Sequence, residues 1–483
     1  MNISAKPPAV RGAALPDLDL MEVSAMIATR QVGPVEVTEA VLARIEAVDG
    51  TLGSYITVMA DHARERAAIA EAEIAAGLRR GPLHGVPVAV KDLCETAYAP
   101  TSAGMQIHKG VVTGRDSTVV SRLERAGAVL LGKLAMTEGA YSGHHPKMPT
   151  PLNPWNREAW AGSSSSGSGA ATAAGLCYGS LGSDTGGSIR FPSSANGLTG
   201  LKGTWGRVSR HGVFALADSL DHVGPMTRSA RDTAAMMGVL AGADPLDPTA
   251  LQAPVPDYLA ACGPNIRGLR IGLDEDQVLG ATDAQTSKAL QEVVAVLREL
   301  GAHVVPVKLP VAPELTEQWT VLCGIEVAIA HAETYPARKA EYGAHLASLI
   351  DLGLSVSGDA VGRAMQWRLV YNGAMAAAMQ GVDMMILPVT AGRLPMLDNP
   401  YGAPAADPEN PDLGDLLKFT APADLTGFPA LTLPGGFDEA GVPIGFQLMG
   451  PALSEAALLG AGHAYQTLTD WHTRRPDLSG LTA

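Results

Sequence analysis

The sequence predicts an α/β fold in which a mixed central β-sheet is covered by α-helices on both faces. Three observations point there. Short apolar runs of strand length recur along the chain, as in Val86–Val90, Ala128–Leu131 and Val382–Pro388, bounded by Gly or Pro. Stretches with apolar residues at helical spacing alternate with these runs, and elements in that order pack as helix layers on a sheet. The third is material for a core: 46% of the 483 residues are hydrophobic and the mean hydropathy is +0.12.

In chain order, Leu20, Val23 and Ile27 form one helical stripe, and Val37, Val41, Leu42 and Ile45 a second, with Pro34 near its start. Residues 61–78, rich in Ala and Glu, form a third helix. Gly81-Pro82 breaks it ahead of the strand Val86–Lys91. Further on, 232–240 reads as a helix, 268–272 as a strand, 284–300 as a helix and 303–307 as a strand. Helices around 314–335 and 361–379 follow, then a buried strand over 382–388. The Pro- and Asp-rich stretch 393–413 has no regular pattern and reads as a lid.

The stretch Ala161–Gly203 organises the rest. Two Gly/Ser knots, 162–169 and 186–188, flank the small-residue segment 170–176, which reads as helix-like. A flexible linker carries neither such an insert nor the charged bracket Asp184…Arg190. A serine nucleophile needs unpaired N–H groups beside it for an oxyanion, and Thr185, Gly186, Gly187 and Ser188 offer four in a row. Serine also needs a base. No His accompanies the signature, but the strand ending in Lys91 supplies a lysine, and serine–lysine versions of the triad exist.

These residues resemble the amidase signature family. Val90-Lys91-Asp92 and Asp184–Arg190 (DTGGSIR) match its motifs, as do Ser117–Glu138, Ser219–Ser229, Phe419–Pro434 and the ending Ala461–Pro476. Asp424 stands where the family usually has Asn, and Leu134-Ala135 where it has Thr-Asn. The resemblance implies the amidase signature fold and a catalytic set of Lys91 as base, Ser188 as nucleophile and a bridging serine preceded by a cis peptide bond. Ungapped alignment of 170–175 puts Ser164 on the bridging position, 24 residues before Ser188. The run Ser163–Ser166 replaces the usual Gly-Ser-Ser-Gly, so Ser163 and Ser165 remain alternatives. The chain then reads as a single domain over 1–483, with a signature core at about 81–230, a variable pocket region at about 231–415 and a C-terminal family segment at about 416–476.

Other classes recede. The net charge of −14 offers no basic surface for nucleic acid. Cys94, Cys177, Cys262 and Cys323 contain no CxxC pair, so neither a zinc site nor a disulfide framework is expected. No signal segment or membrane-length apolar run is evident, which makes a cytoplasmic enzyme the expectation. Gly127–Leu134 has the G-x4-G-K spacing of a phosphate loop, but Leu134 follows the lysine where Ser or Thr would hold magnesium, so it reads as a strand. Adjacent His144 and His145 read as a loop pair at the pocket mouth, not metal ligands.

The expected chemistry is amide hydrolysis through an acyl-enzyme, without metal or organic cofactor. Met105, Met136, His144 and the 393–413 loop are the expected pocket walls. Asp184 and Arg190 are expected to brace the loop, and Ser180, Ser183, Ser193 and Ser194 to be structural. Small or aryl amides are the expected substrates and small aryl carbamates secondary ones, as for a urethanase, with the protein a monomer or homodimer. The alternative is the glutamine-using subunit of a tRNA-dependent amidotransferase.

Overall fold

The computed structural model describes residues 14–392 and 416–481. Within them lies one eleven-stranded sheet. Its strands are β1 (Tyr55–Val58), β2 (Pro87–Lys91), β3 (Val129–Leu134), β4 (Gly179–Asp184), β5 (Thr199–Lys202), β6 (His222–Thr227), β7 (Arg270–Leu273), β8 (His303–Pro306), β9 (Met384–Pro388), β10 (Ala430–Phe437) and β11 (Pro443–Met449). The spatial order is β1-β3-β2-β4-β6-β5-β10-β11-β9-β7-β8.

The sheet is mixed, as expected. β2 runs parallel to β3 and β4, and β7 parallel to β8 and β9. Between these blocks β4, β6, β5, β10, β11 and β9 pair antiparallel in turn. β2, β3, β4, β5, β6 and β9 are buried at every position, so none of them shows a buried–exposed alternation.

The helical stripes fall where the sequence puts them. Leu20–Ala28, Pro34–Leu52 and Ala60–Ala75 are helices, and Pro34 occupies the first turn of the second, where its missing N–H costs nothing. The helix-like insert at 170–176 begins earlier, as Ser166–Ala173, so the second half of the Gly/Ser knot, 166–169, is helical, and this helix is wholly buried. The region around 314–335 is helical only over Leu315–Ala330, and a further helix, Ala344–Ser355, was not expected. The proposed lid at 393–413 lies outside the described residues.

The phosphate-loop decoy is settled by pairing. Residues 129–134 are β3, and a side chain at Gly132 would stand 2.2 Å from the Thr57 carbonyl of the neighbouring strand. Lys133 donates to Thr101 Oγ1 at 2.7 Å and faces Asp92 at 3.1 Å, so its charge is consumed inside the protein.

Candidate active site

β2 and β4 are parallel neighbours, and each delivers a polar residue at its C-terminal end. β2 ends in Lys91, which is wholly buried. Its Nζ lies 2.6 Å from Ser164 Oγ and 2.8 Å from Ser183 Oγ. Burial pushes the Lys91 pKa down to about 7, against the weaker opposing pull of Cys94, Asp221 and Asp184. A lysine held among hydroxyls in this way has the chemistry to accept a proton at neutral pH.

The neighbouring Asp92 points elsewhere. It accepts from the Ser102 amide at 3.0 Å and from the Ser102 hydroxyl, and it faces Lys133. Alternation along the strand thus separates the two charged residues of the Val-Lys-Asp motif into different environments.

The three candidate bridging serines sit differently. Ser163 lines the cavity in front of Ser188. Ser164 meets Lys91, and the peptide bond between Ser163 and Ser164 is cis. Ser165 turns away and donates to the Ser183 carbonyl at 3.2 Å. Ser183, read from sequence as structural, is the second hydroxyl on Lys91. Its sequence signal is its position just before Asp184 on the strand beside β2.

β4 ends in Asp184, and the loop after it carries Ser188, which is half-buried and faces the cavity. Asp184 accepts the amide hydrogens of Gly187 at 2.6 Å, Ile189 at 3.0 Å and Arg190 at 3.3 Å. The Arg190 fork closes on the same carboxylate at 3.0 and 2.9 Å. Burial opposes the Asp184 charge, but Arg190 outweighs it and holds the group well below the usual carboxylate range. Both residues therefore brace the loop.

One oxyanion expectation is corrected. Of the four N–H groups from Thr185 to Ser188, that of Gly187 is spent on Asp184, because the carboxylate folds back over the turn. Those of Thr185, Gly186 and Ser188 have no acceptor among the described residues. The glycines are needed here: Gly187 has φ +136°, and a side chain at Gly186 would stand 2.8 Å from Leu417 and 2.9 Å from Trp319.

Three further residues hold this loop. Asp221 and Thr420 lie in the matched segments Ser219–Ser229 and Phe419–Pro434, with no role read from them, and Trp319 lies outside the motifs. Thr185 Oγ1 donates to Asp221 at 2.5 Å, and Trp319 Nε1 donates to the Thr185 carbonyl at 2.9 Å. Thr420 Oγ1 donates to the Gly186 carbonyl at 2.5 Å. These partners lie 36 to 234 residues away in sequence, beyond the reach of a local pattern.

The cavity at Ser188 is walled by Trp160, Phe191, Leu216, Trp319, Leu416 and Leu417. Among the described residues its lining carries no charged side chain. Of the expected walls, Met105, Met136 and His144 are placed elsewhere, and the 393–413 loop lies outside the described residues. Met105 and Met136 are core residues with 0% and 1% exposure, packed in the main hydrophobic cluster and absent from the cavity lining. His144 Nε2 pairs with Ser166 Oγ at 3.0 Å, two residues beyond the lining residue Ser142, and burial lowers its pKa to about 4. Two larger cavities, about 300 and 460 Å³, lie near Asp283 and near Tyr371, and neither reaches Lys91 or Ser188. Among the described residues no group of His, Cys, Asp and Glu is arranged to hold a metal, and no helix is long and apolar enough to cross a membrane.

Residues 36–459 match the family model described as Amidase. The protein named amidase AmiD in Mycobacterium tuberculosis is 47% identical over 473 residues, 98% of each chain. A glutamyl-tRNA(Gln) amidotransferase component from a Roseiflexus species is 39% identical, over 96% of this chain and 99% of its own. The crystal structure of the native peptide amidase from Stenotrophomonas maltophilia superposes with a TM-score of 0.83 at 30% identity, covering 95% of this chain and 98% of that one. With the motifs, the mixed sheet and these likenesses in agreement, the chain belongs to the amidase family, the amidase signature hydrolases.

Proposed function

We propose that this chain is an amidohydrolase for neutral small or aryl amides, working through a Ser188–Ser164–Lys91 relay and an acyl-enzyme. The observation that carries the reading is the contact of a wholly buried Lys91 with Ser164 behind an uncharged, aromatic-walled cavity that Ser188 faces.

Neutral Lys91 accepts the Ser164 proton as Ser164 takes that of Ser188, whose oxygen attacks the carbonyl carbon. The N–H groups of Thr185, Gly186 and Ser188 receive the oxyanion. Ser164 returns the proton to the departing nitrogen, the step an amide requires and an ester does not. Water then repeats the cycle and frees the acid. A carbamate adds an alkoxy oxygen to the same carbonyl, so small aryl carbamates are secondary substrates of this site.

The Roseiflexus likeness supports a second reading, glutamine hydrolysis in partnership with other proteins. Glutamine carries a carboxylate and an ammonium, and desolvating either without a partner is costly. The described lining offers no charged group to meet them. Purified protein given p-nitroacetanilide, a small aryl carbamate and glutamine side by side tests the choice. Turnover of the aryl amide is expected. Efficient glutamine turnover with none of the aryl compounds overturns the reading.

A further inference from the structure

Behind the nucleophile loop lies a second buried charge cluster that the relay does not use. Arg190 Nη2 donates to two carboxyl groups at once, Asp184 Oδ1 at 2.9 Å and Asp424 Oδ2 at 2.7 Å. All three side chains have 0% exposure. Asp184 already takes the Arg190 fork in full, so one guanidinium charge is matched by one carboxylate.

Asp424 is then the surplus acid. Its Oδ1 has no hydrogen-bond partner among the described residues, and the neighbouring carboxyl is Asp184, held by the same Arg190 nitrogen. His222, Lys202 and Arg368 also face Asp424. His222 Nδ1 is 3.5 Å away but donates to the Leu220 carbonyl at 2.7 Å. That bond leaves His222 Nε2 to accept from Lys202 Nζ at 3.0 Å, so the lysine is turned to the imidazole. Arg368 donates to the carbonyls of Leu425 and Ser219, at 2.8 and 2.9 Å.

We propose that Asp424 is a neutral carboxylic acid whose O–H donates to Asp184, a positioning residue that holds the Asp184–Arg190 fork under the Ser188 loop. A bare buried carboxylate oxygen is far more costly than a bare carbonyl oxygen, and the neutral form leaves only the latter. Two adjacent carboxyls sharing one proton are the general outcome when like charges cannot both be solvated. Burial, and then Asp184, push the Asp424 pKa well above its ordinary value, in agreement.

The proposal rests on the Ser188 assignment only for its consequence, and its tests need no substrate. A carboxyl with a raised folded-state pKa gives stability that is complete below the unfolded pKa of about 3.9 and is lost as pH rises through the folded pKa. Asp424→Asn removes that loss. Its melting temperature should equal that of the wild type near pH 4 and exceed it increasingly as pH rises. At about pH 8.5, above the values of about 7 to which burial brings Glu138 and Asp232, the wild type should show the infrared carbonyl stretch of a neutral carboxylic acid. Asp424→Asn should lack that band and Asp424→Glu should shift it, so a poorly folding variant does not block the assignment. Absence of the band in the wild type, or an Asp424→Asn protein less stable than wild type at pH 7, means an ionised Asp424 paired with protonated Lys202 and overturns the proposal.

Discussion

Lys91 Nζ lies 2.6 Å from Ser164 Oγ and 2.8 Å from Ser183 Oγ, and among the described residues it forms no ion pair. A lysine with hydroxyl partners and no carboxylate in contact gains little from its charge, the distant Asp221 and Asp184 opposing burial only weakly, so burial sets its pKa, which falls to about 7. Only the neutral amine accepts a proton. The rate should therefore rise with pH along a limb centred near 7 and remain high in mildly alkaline buffer. The pH dependence of kcat/KM on an aryl amide checks this, and Lys91→Met should abolish the limb together with most of the activity. An unchanged profile in that variant rules lysine out as the base.

Ser188→Ala should eliminate turnover and leave the fold intact. The Ser188 side chain makes no hydrogen bond among the described residues, and it is only half-buried. Its loop is held instead by Asp184, Thr420 and Trp319. A normal melting curve with no acyl-enzyme detectable by mass spectrometry is the expected pair of results.

The serine run offers a sharper contrast. Ser164→Ala removes the hydroxyl on Lys91, and a lost proton relay costs roughly 100- to 10,000-fold in rate. Ser163→Ala changes only a lining hydroxyl and should act mainly through KM. Steady-state kinetics of the two variants decide between them. Comparable losses in kcat would remove the special role of Ser164.

Much of this is legible in the amino-acid sequence alone. Apolar runs mark β2, β3 and β9 because each is buried on both faces, and burial leaves no alternation to hide the signal. β4, β5 and β6 carry no such mark, since Gly, Ser, Thr and Pro fill them. Small residues there let the Ser166–Ala173 helix and the loops pack close: a side chain at Gly182 would stand 2.9 Å from Ser165 Oγ. The catalytic candidates lie in contiguous motifs, whereas Asp221, Trp319 and Thr420 reach the loop through tertiary structure alone. Pocket walls are the least legible, because methionine suits both a core and a ligand site, and Met105 and Met136 belong to the core.

Asp221 ties the loop from below. It accepts from Thr185 Oγ1 at 2.5 Å and from the amides of Leu216 and Ala217 at 2.9 and 3.1 Å. Burial raises its pKa to about 6, against those hydrogen bonds. Asp221→Ala strands three buried donors, at about 1–3 kcal/mol for each left unsatisfied. It should lower both the melting temperature and kcat, whereas Asp221→Asn, which keeps an acceptor oxygen, should recover part of each. Equal losses in the two variants would count against a positioning role.

Trp319 does two things at once, and two substitutions separate them. Its indole ring is a wall of the cavity, and its Nε1 donates to the Thr185 carbonyl at 2.9 Å. Trp319→Phe keeps an apolar ring but leaves that carbonyl without its donor, which costs about 1–2 kcal/mol, or roughly tenfold in rate where the loop meets the transition state. The loss should fall on kcat and be similar for aryl and short aliphatic amides, because it acts on the Ser188 loop common to both. Leu417→Ala leaves every loop hydrogen bond in place and only enlarges the apolar wall beside Gly186. It should raise KM for aryl amides while leaving short aliphatic amides nearly unchanged, since only the larger group fills that space. If instead Leu417→Ala weakened both substrates equally and Trp319→Phe altered KM alone, the cavity at Ser188 would not be the aryl-binding wall assigned to it.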